Sequence, residues 1–143
     1  MNLADLTRRS GLDVLEHLER QVTIPVVDGL QAQGDLIVIP LGMLDDVTVA
    51  AHARWRPVPP TGVELLRGAG GGNPHTLVAD PGACQWTVDV RDDQLLAIGV
   101  LRAIRPAYLI HPEHGGSGIA PGTYLVRRQR ERANQRGVQL IAD

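Results

Sequence analysis

Thr76-Leu77-Val78-Ala79-Asp80-Pro81-Gly82-Ala83-Cys84-Gln85-Trp86-Thr87-Val88-Asp89-Val90-Arg91 reads as a strand, a tight turn and a second strand. Pro81 and Gly82 stand where a turn needs a preset φ followed by a permissive residue. Beyond the turn, Trp86, Val88 and Val90 alternate with Thr87, Asp89 and Arg91, which predicts one buried face and one wet face.

The same signals recur on both sides. Upstream, Leu36-Ile37-Val38-Ile39 is an apolar run stopped by Pro40, as expected of a strand covered on both faces. Val47 to Ala53 and Val63 to Leu66 predict further strands, separated by the Pro-rich connector Arg56 to Gly62. Downstream, Asp92-Asp93 makes a turn before the apolar stretch Leu95 to Ile104. Tyr108-Leu109-Ile110-His111 stops at Pro112 and enters a polar, glycine-rich loop, and Thr123 to Gln129 follows Pro121-Gly122 as the last strand. Short strands divided by Pro/Gly turns predict a mainly β fold, a small antiparallel sandwich or a partly open barrel.

The N-terminus differs. Ser10 is a good N-cap, Asp13 sits at the third helical position, and Leu12, Leu15, Leu18 and Val22 form one apolar stripe ended by Pro25. The expected organisation is a helical extension over 1–30 and a β domain over 31–143. Leu3 to Gln21 also has the outline of a helix-turn-helix, but Asp13, Glu16 and Glu19 on the would-be recognition helix would repel phosphate.

Composition narrows the class. The chain of 143 residues is 43% apolar, fitting one domain with an ordinary core. It has no Phe, and Trp55, Trp86, Tyr108 and Tyr124 are its only aromatics, so Val, Leu, Ile and Ala must build the interior. Cys84 is the single cysteine and no run approaches the roughly 18 apolar residues of a membrane span; a cytoplasmic location with no membrane partner is expected. Charge is lopsided: residues 1–101 carry seven Arg against thirteen Asp and Glu, whereas 102–142 carry seven Arg against two Glu. Such opposition suits a protein partner or a second copy of the chain.

Three histidines carry the sharpest chemical expectation. His111 and His114 flank Pro112-Glu113, and His75 follows the glycine loop 68–74. Three imidazoles plus water is a workable arrangement for Zn or another divalent ion, with Glu113 as a catalytic base. The spacing lacks both a four-ligand structural zinc pattern and a helical metalloprotease pair. The glycine loop has Asn73 where a phosphate-binding register needs its last Gly, and no Lys follows. Cys84 reads as a small buried hydrophobe. Arg127, Arg128, Arg130 and Arg132 form a basic run with no interleaved aromatic, which disfavours nucleic acid and favours a protein contact.

Two blocks carry a resemblance. Gln33-Gly34-Asp35-Leu36-Ile37-Val38-Ile39-Pro40, and His111-Pro112-Glu113-His114 leading to Ala120-Pro121-Gly122-Thr123-Tyr124-Leu125-Val126-Arg127-Arg128-Gln129-Arg130-Glu131, resemble an uncharacterised family of small bacterial and phage-encoded β proteins. The pattern has a Gln-Gly-Asp-apolar-Pro start, a central Gly-His-x-His segment, a His-x-Glu-His loop and a Pro-x-Gly-x-Tyr-x-Val-x-Arg-Gln-Arg-Glu ending. The resemblance implies that His75, His111 and His114 fall in its histidine segments; the chain departs at Asn73, where the pattern has its first central His.

The expected function is a non-enzymatic binding or accessory module contacting another protein or itself, with no cofactor, within a larger bacterial or phage assembly. The alternative is a metal-dependent enzyme holding a divalent ion on His75, His111 and His114.

Overall fold

A computed structural model describes residues 2, 5, 24–67, 74–134 and 137–140, with side chains placed up to residue 65 and over 74–129. In chain order the strands are β1 (Val26–Val27), β2 (Gln31–Gln33), β3 (Leu36–Pro40), β4 (Val47–Val49), β5 (Arg56–Pro57), β6 (Val63–Arg67), β7 (Pro74–Ala79), β8 (Cys84–Thr87), β9 (Val90–Asp92), β10 (Ala97–Ala103), β11 (Ala107–His111), β12 (Gly115–Ile119), β13 (Gly122–Arg128), β14 (Arg130–Asn134) and β15 (Gly137–Leu140). A single 3-10 turn spans Leu41–Met43.

The strands form two main sheets. The first has the order β1-β12-β11-β7-β6 and the second β2-β3-β13-β10-β8-β5, with two-stranded ribbons β4-β9 and β14-β15. Pairing is antiparallel except between β1 and β12. Leu77, Leu109 and Ile119 of the first sheet meet Leu36, Leu101 and Tyr124 of the second in one buried cluster. Each fully buried aliphatic side chain contributes about 1.5–3 kcal/mol, so this layer stabilises the pairing of the sheets. On its other side the second sheet buries Ile39, Val100 and Leu125. There Arg127, one residue beyond the inward Val126, reaches the ribbon at Asp46 and Asp92.

The mainly β expectation holds, and the sheets are not closed into a barrel. The helix expected within 10–22 is not supported; its residues lie outside those described. No helix among the described residues is long and apolar enough to cross a membrane.

Two local expectations are corrected. The alternation Trp86/Val88/Val90 does not run through one strand: β8 stops at Thr87, and Val88 is exposed. The Thr87 hydroxyl accepts the Asp89 N–H (3.1 Å) and the Val88 carbonyl accepts the Val90 N–H (2.9 Å). These bonds turn the chain out of the second sheet so that β9 can pair with β4. The glycine-rich stretch after His114 is not a loop but strand β12. Glycine has poor strand propensity, yet here its lack of a side chain is what the sheet needs. A Cβ on Gly118 would lie 2.6 Å from the Pro25 carbonyl oxygen and 2.9 Å from Val26 Cα. Only glycine lets β1 dock there.

Candidate functional site

The polar centre sits at one end of the core, where inward-facing positions stop being apolar. Along β7, Leu77 and Ala79 face the core, so His75 shares their side; along β11, Ala107 and Leu109 do the same for His111. Both imidazoles are buried, at 0% and 1% exposure. Opposite them stands the β2–β3 hairpin. Its two-residue turn is Gly34-Asp35, with Gly34 at φ +56° and no positive φ at Asp35, which suits a II′ hairpin with Gly first. That turn presents Gln33 and Asp35, both buried, to the histidines.

His75 is gripped at both ring nitrogens. Nδ1 lies 3.0 Å from Gln33 Oε1, and Nε2 lies 2.8 Å from Asp35 Oδ1. The orientation of the Gln33 amide is set by its other end: Nε2 donates to the Leu109 carbonyl (3.0 Å), the Gly115 carbonyl (3.3 Å) and Ser117 Oγ (3.0 Å). Its oxygen must therefore face His75, and Nδ1 must carry a proton. With a carboxylate at Nε2, the second nitrogen carries one too. This geometry describes an imidazolium paired with the Asp35 carboxylate inside the protein.

His111 plays a different part. Its Nδ1 accepts the backbone N–H of Glu113 (3.0 Å) and of His114 (3.3 Å), closing the 112–114 turn between β11 and β12. A nitrogen that accepts two N–H groups has no proton, so in the neutral ring the proton is on Nε2. The three rings gather: centroids are 4.4 Å apart for His75 and His111, 4.5 Å for His111 and His114, and 6.2 Å for His75 and His114. His114 and Glu113 are on the exposed turn.

The expected metal residues thus meet in space, the two closer ring pairs tilted by 39° and 38°. A ligand nitrogen needs a lone pair. The doubly protonated His75 ring offers none, and the Nδ1 lone pair of His111 already accepts two backbone protons. Among the described residues, no group of three or more His, Cys, Asp or Glu is arranged to hold a metal ion. Glu113 lies on the rim, and its N–H supports His111.

The basic run is divided. Arg127 is turned inward: Nε and Nη2 donate to Asp92 at 3.1 and 2.6 Å, and Nη2 also reaches Asp46 at 3.3 Å. It therefore joins sheet to ribbon rather than facing a partner. Arg128 is half-buried. Arg130 and Arg132 belong to β14, and their side chains lie outside those described.

Cys84 is not a nucleophile. Burial pushes its thiol up to about 12 against a small opposing contribution from an Arg102 backbone hydrogen bond. Only the thiolate attacks. The native protein is therefore expected to react with iodoacetamide at pH 8 at least about 100-fold more slowly than the urea-unfolded chain. Equal labelling rates in the two states would overturn this assignment.

Gln33, Asp35, Ser117 and Gln129 were not singled out by residue chemistry. Gln129 Nε2 donates to the carbonyls of Gly34 (3.1 Å) and Leu36 (3.0 Å), while its backbone N–H reaches the Asp35 carbonyl (2.8 Å). It latches the hairpin from outside as His75 holds it from within. The available signal was the Gln33-Gly34-Asp35 block itself, two polar residues around a glycine directly before an apolar run.

Neither a curated protein nor a solved structure matches the chain. A family model described as a domain of unknown function (DUF8820) matches residues 32–129, from β2 to the Gln129 latch. The chain belongs to the DUF8820 family.

Proposed function

We propose that this chain is a non-enzymatic binding or accessory module of the cytoplasm that works by contacting another protein, within a larger bacterial or phage assembly. The observation that carries the reading is where the reactive groups point. Both nitrogens of His75 and the Nδ1 of His111 are engaged by the fold, and the Cys84 thiol is buried. The histidine centre acts as a polar clasp that holds two hairpins and a central strand in register, not as a cleft open to substrate. By contrast, Met43, Val88, Leu95 and Ile104 project large apolar side chains to the outside. Such side chains supply contact area when a partner covers them.

Light scattering on the full, tag-free chain, with a pull-down from cells that naturally make it, tests this reading. The expected result is a mass above that of one chain or a stoichiometric retained protein. A strict monomer with nothing retained would overturn it.

The metal-dependent reading draws on one observation, the meeting of the three rings. It requires His75 to release a proton and one of its two acceptors. Metal analysis of the same preparation distinguishes it: near-stoichiometric Zn or another divalent ion would favour it.

A further inference from the structure

Strand β10 joins two surfaces of opposite character. At its start, Asp93 and Leu95 project from the turn beside Asp45, and Leu95 is 87% exposed at φ +60°. The turn is firmly built: Asp92 accepts the backbone N–H groups of Gln94 and Leu96 on its carboxylate and that of Leu95 on its carbonyl. The Asp46 carbonyl accepts the Asp93 N–H at 3.0 Å, which brings Asp45 alongside. Among the described residues no cation pairs with Asp45 or Asp93. The result is a rigid acidic tip with an aliphatic point.

At the other end of the strand lies a basic groove. Gly82, Ala83, Cys84, Gln85, Arg102 and Ile104 line a shallow space of ≈ 200 Å³. The Arg102 guanidinium is fixed over the Trp55 ring, 4.0 Å from its centroid, and donates to Gln85 Oε1 at 3.0 Å. Arg105 lies across the rim, donating to the Pro81 carbonyl at 2.9 Å. Among the described residues no carboxylate pairs with either arginine. Ile104 adds an exposed aliphatic wall.

We propose that the acidic tip of one copy docks into the basic groove of a second copy, with Leu95 entering the groove and Asp45 and Asp93 facing Arg102 and Arg105. The proposal rests on the reading of the chain as a protein-binding module and names its partner as the chain itself. Charge complementarity selects this occupant: the groove is cationic with an apolar wall, and the tip is anionic with an apolar point. Two guanidiniums are too few for the phosphate contacts that hold a nucleic acid. Tip and groove cannot meet within one chain, because β10 separates Leu95 from Arg102 by roughly 20 Å of extended backbone. Between copies the two faces differ, so the contact is either made reciprocally in a two-fold dimer, each tip in the other copy's groove, or repeats head-to-tail into a ring or a filament.

Sedimentation velocity on the full chain tests this. At low salt the mean mass is expected to rise with concentration, and to fall toward the monomer near 0.5 M salt, where the screening length drops to about 4 Å. Asp93→Arg and Arg102→Glu, both at exposed side chains, should each weaken association at least tenfold; Asp93→Arg should leave the melting temperature unchanged, whereas Arg102→Glu also gives up the Trp55 and Gln85 contacts and should lower it slightly. An equimolar mixture of these two variants should associate again, since each reversed face then meets its complement, and Leu95→Ser should weaken the wild-type contact without altering its salt dependence. A mass fixed at the monomer at low salt, or reversals that neither weaken association nor restore it on mixing, would overturn the proposal. If the chain is monomeric yet retains a different protein, the self-docking fails while the binding-module reading stands.

Discussion

Asp35→Ala is expected to lower the unfolding free energy by about 3–5 kcal/mol, the range for removing one partner of a buried ion pair. The Asp35 carboxylate is the counter-charge for His75, whose side chain is 0% exposed. Without it the ring must release its Nε2 proton or remain charged in a low-dielectric interior, and either outcome costs Nε2 its 2.8 Å hydrogen bond. Asp35→Asn keeps a polar group facing Nε2 but removes the charge. A neutral ring protonated on Nδ1 can then accept the Asn amide N–H at Nε2, so one hydrogen bond survives without the ion pair and this variant should fall between wild type and Asp35→Ala. Urea melts at pH 7 measure both. A loss below about 1 kcal/mol for Asp35→Ala would show that the clasp is not the polar anchor of the fold.

Asp92→Ala should be comparably severe, again about 3–5 kcal/mol. Asp92 gathers the Arg127 guanidinium and the backbone N–H groups of Gln94 and Leu96, and its side chain is almost wholly buried. Removing it leaves Arg127 with Asp46 alone and frees the turn that shapes the acidic tip. Its titration adds a signature in pH. Burial pushes the carboxyl up, but Arg127 and the two backbone donors together outweigh burial and hold it below its ordinary 3.8. A carboxyl depressed in the folded state binds fewer protons than in the unfolded state, so its stabilisation is full above about 3.8 and is lost as pH falls through the folded value. Acid unfolding followed by circular dichroism should therefore show the wild-type advantage over Asp92→Ala shrinking below pH 3.8. A difference that is flat with pH would contradict the assignment.

Much of the strand pattern could be read directly. Leu36–Ile39, Thr76–Ala79, Tyr108–His111 and Thr123–Arg128 carry enough apolar, β-branched and turn-bounded character that their local preference agrees with the final fold. Where local and global preference conflict, reading the chain fails in a definite direction. Gly115 to Ile119 looks like a loop because four of its five residues are Gly or Ser, yet it is an interior strand of its sheet, and the neighbouring β1 needs the missing Cβ of Gly118. Val88 looks like part of a buried alternation, but two turn bonds move the chain to another sheet.

The histidines show the same division at the level of chemistry. That His75, His111 and His114 would gather was legible from residue type and from their place after a loop and around a proline. What their nitrogens do was not. The proton on His75 Nδ1 follows from Gln33, 42 residues earlier, whose amide is oriented by carbonyls a further 76 and 82 residues along from it. Periodicity and spacing along one chain determine which residues are apolar, which turn and which face inward, because those are properties of neighbours in sequence. Tertiary structure alone decided that the histidine centre is a clasp, since the sharing of a proton depends on distance in space between groups that no local rule connects.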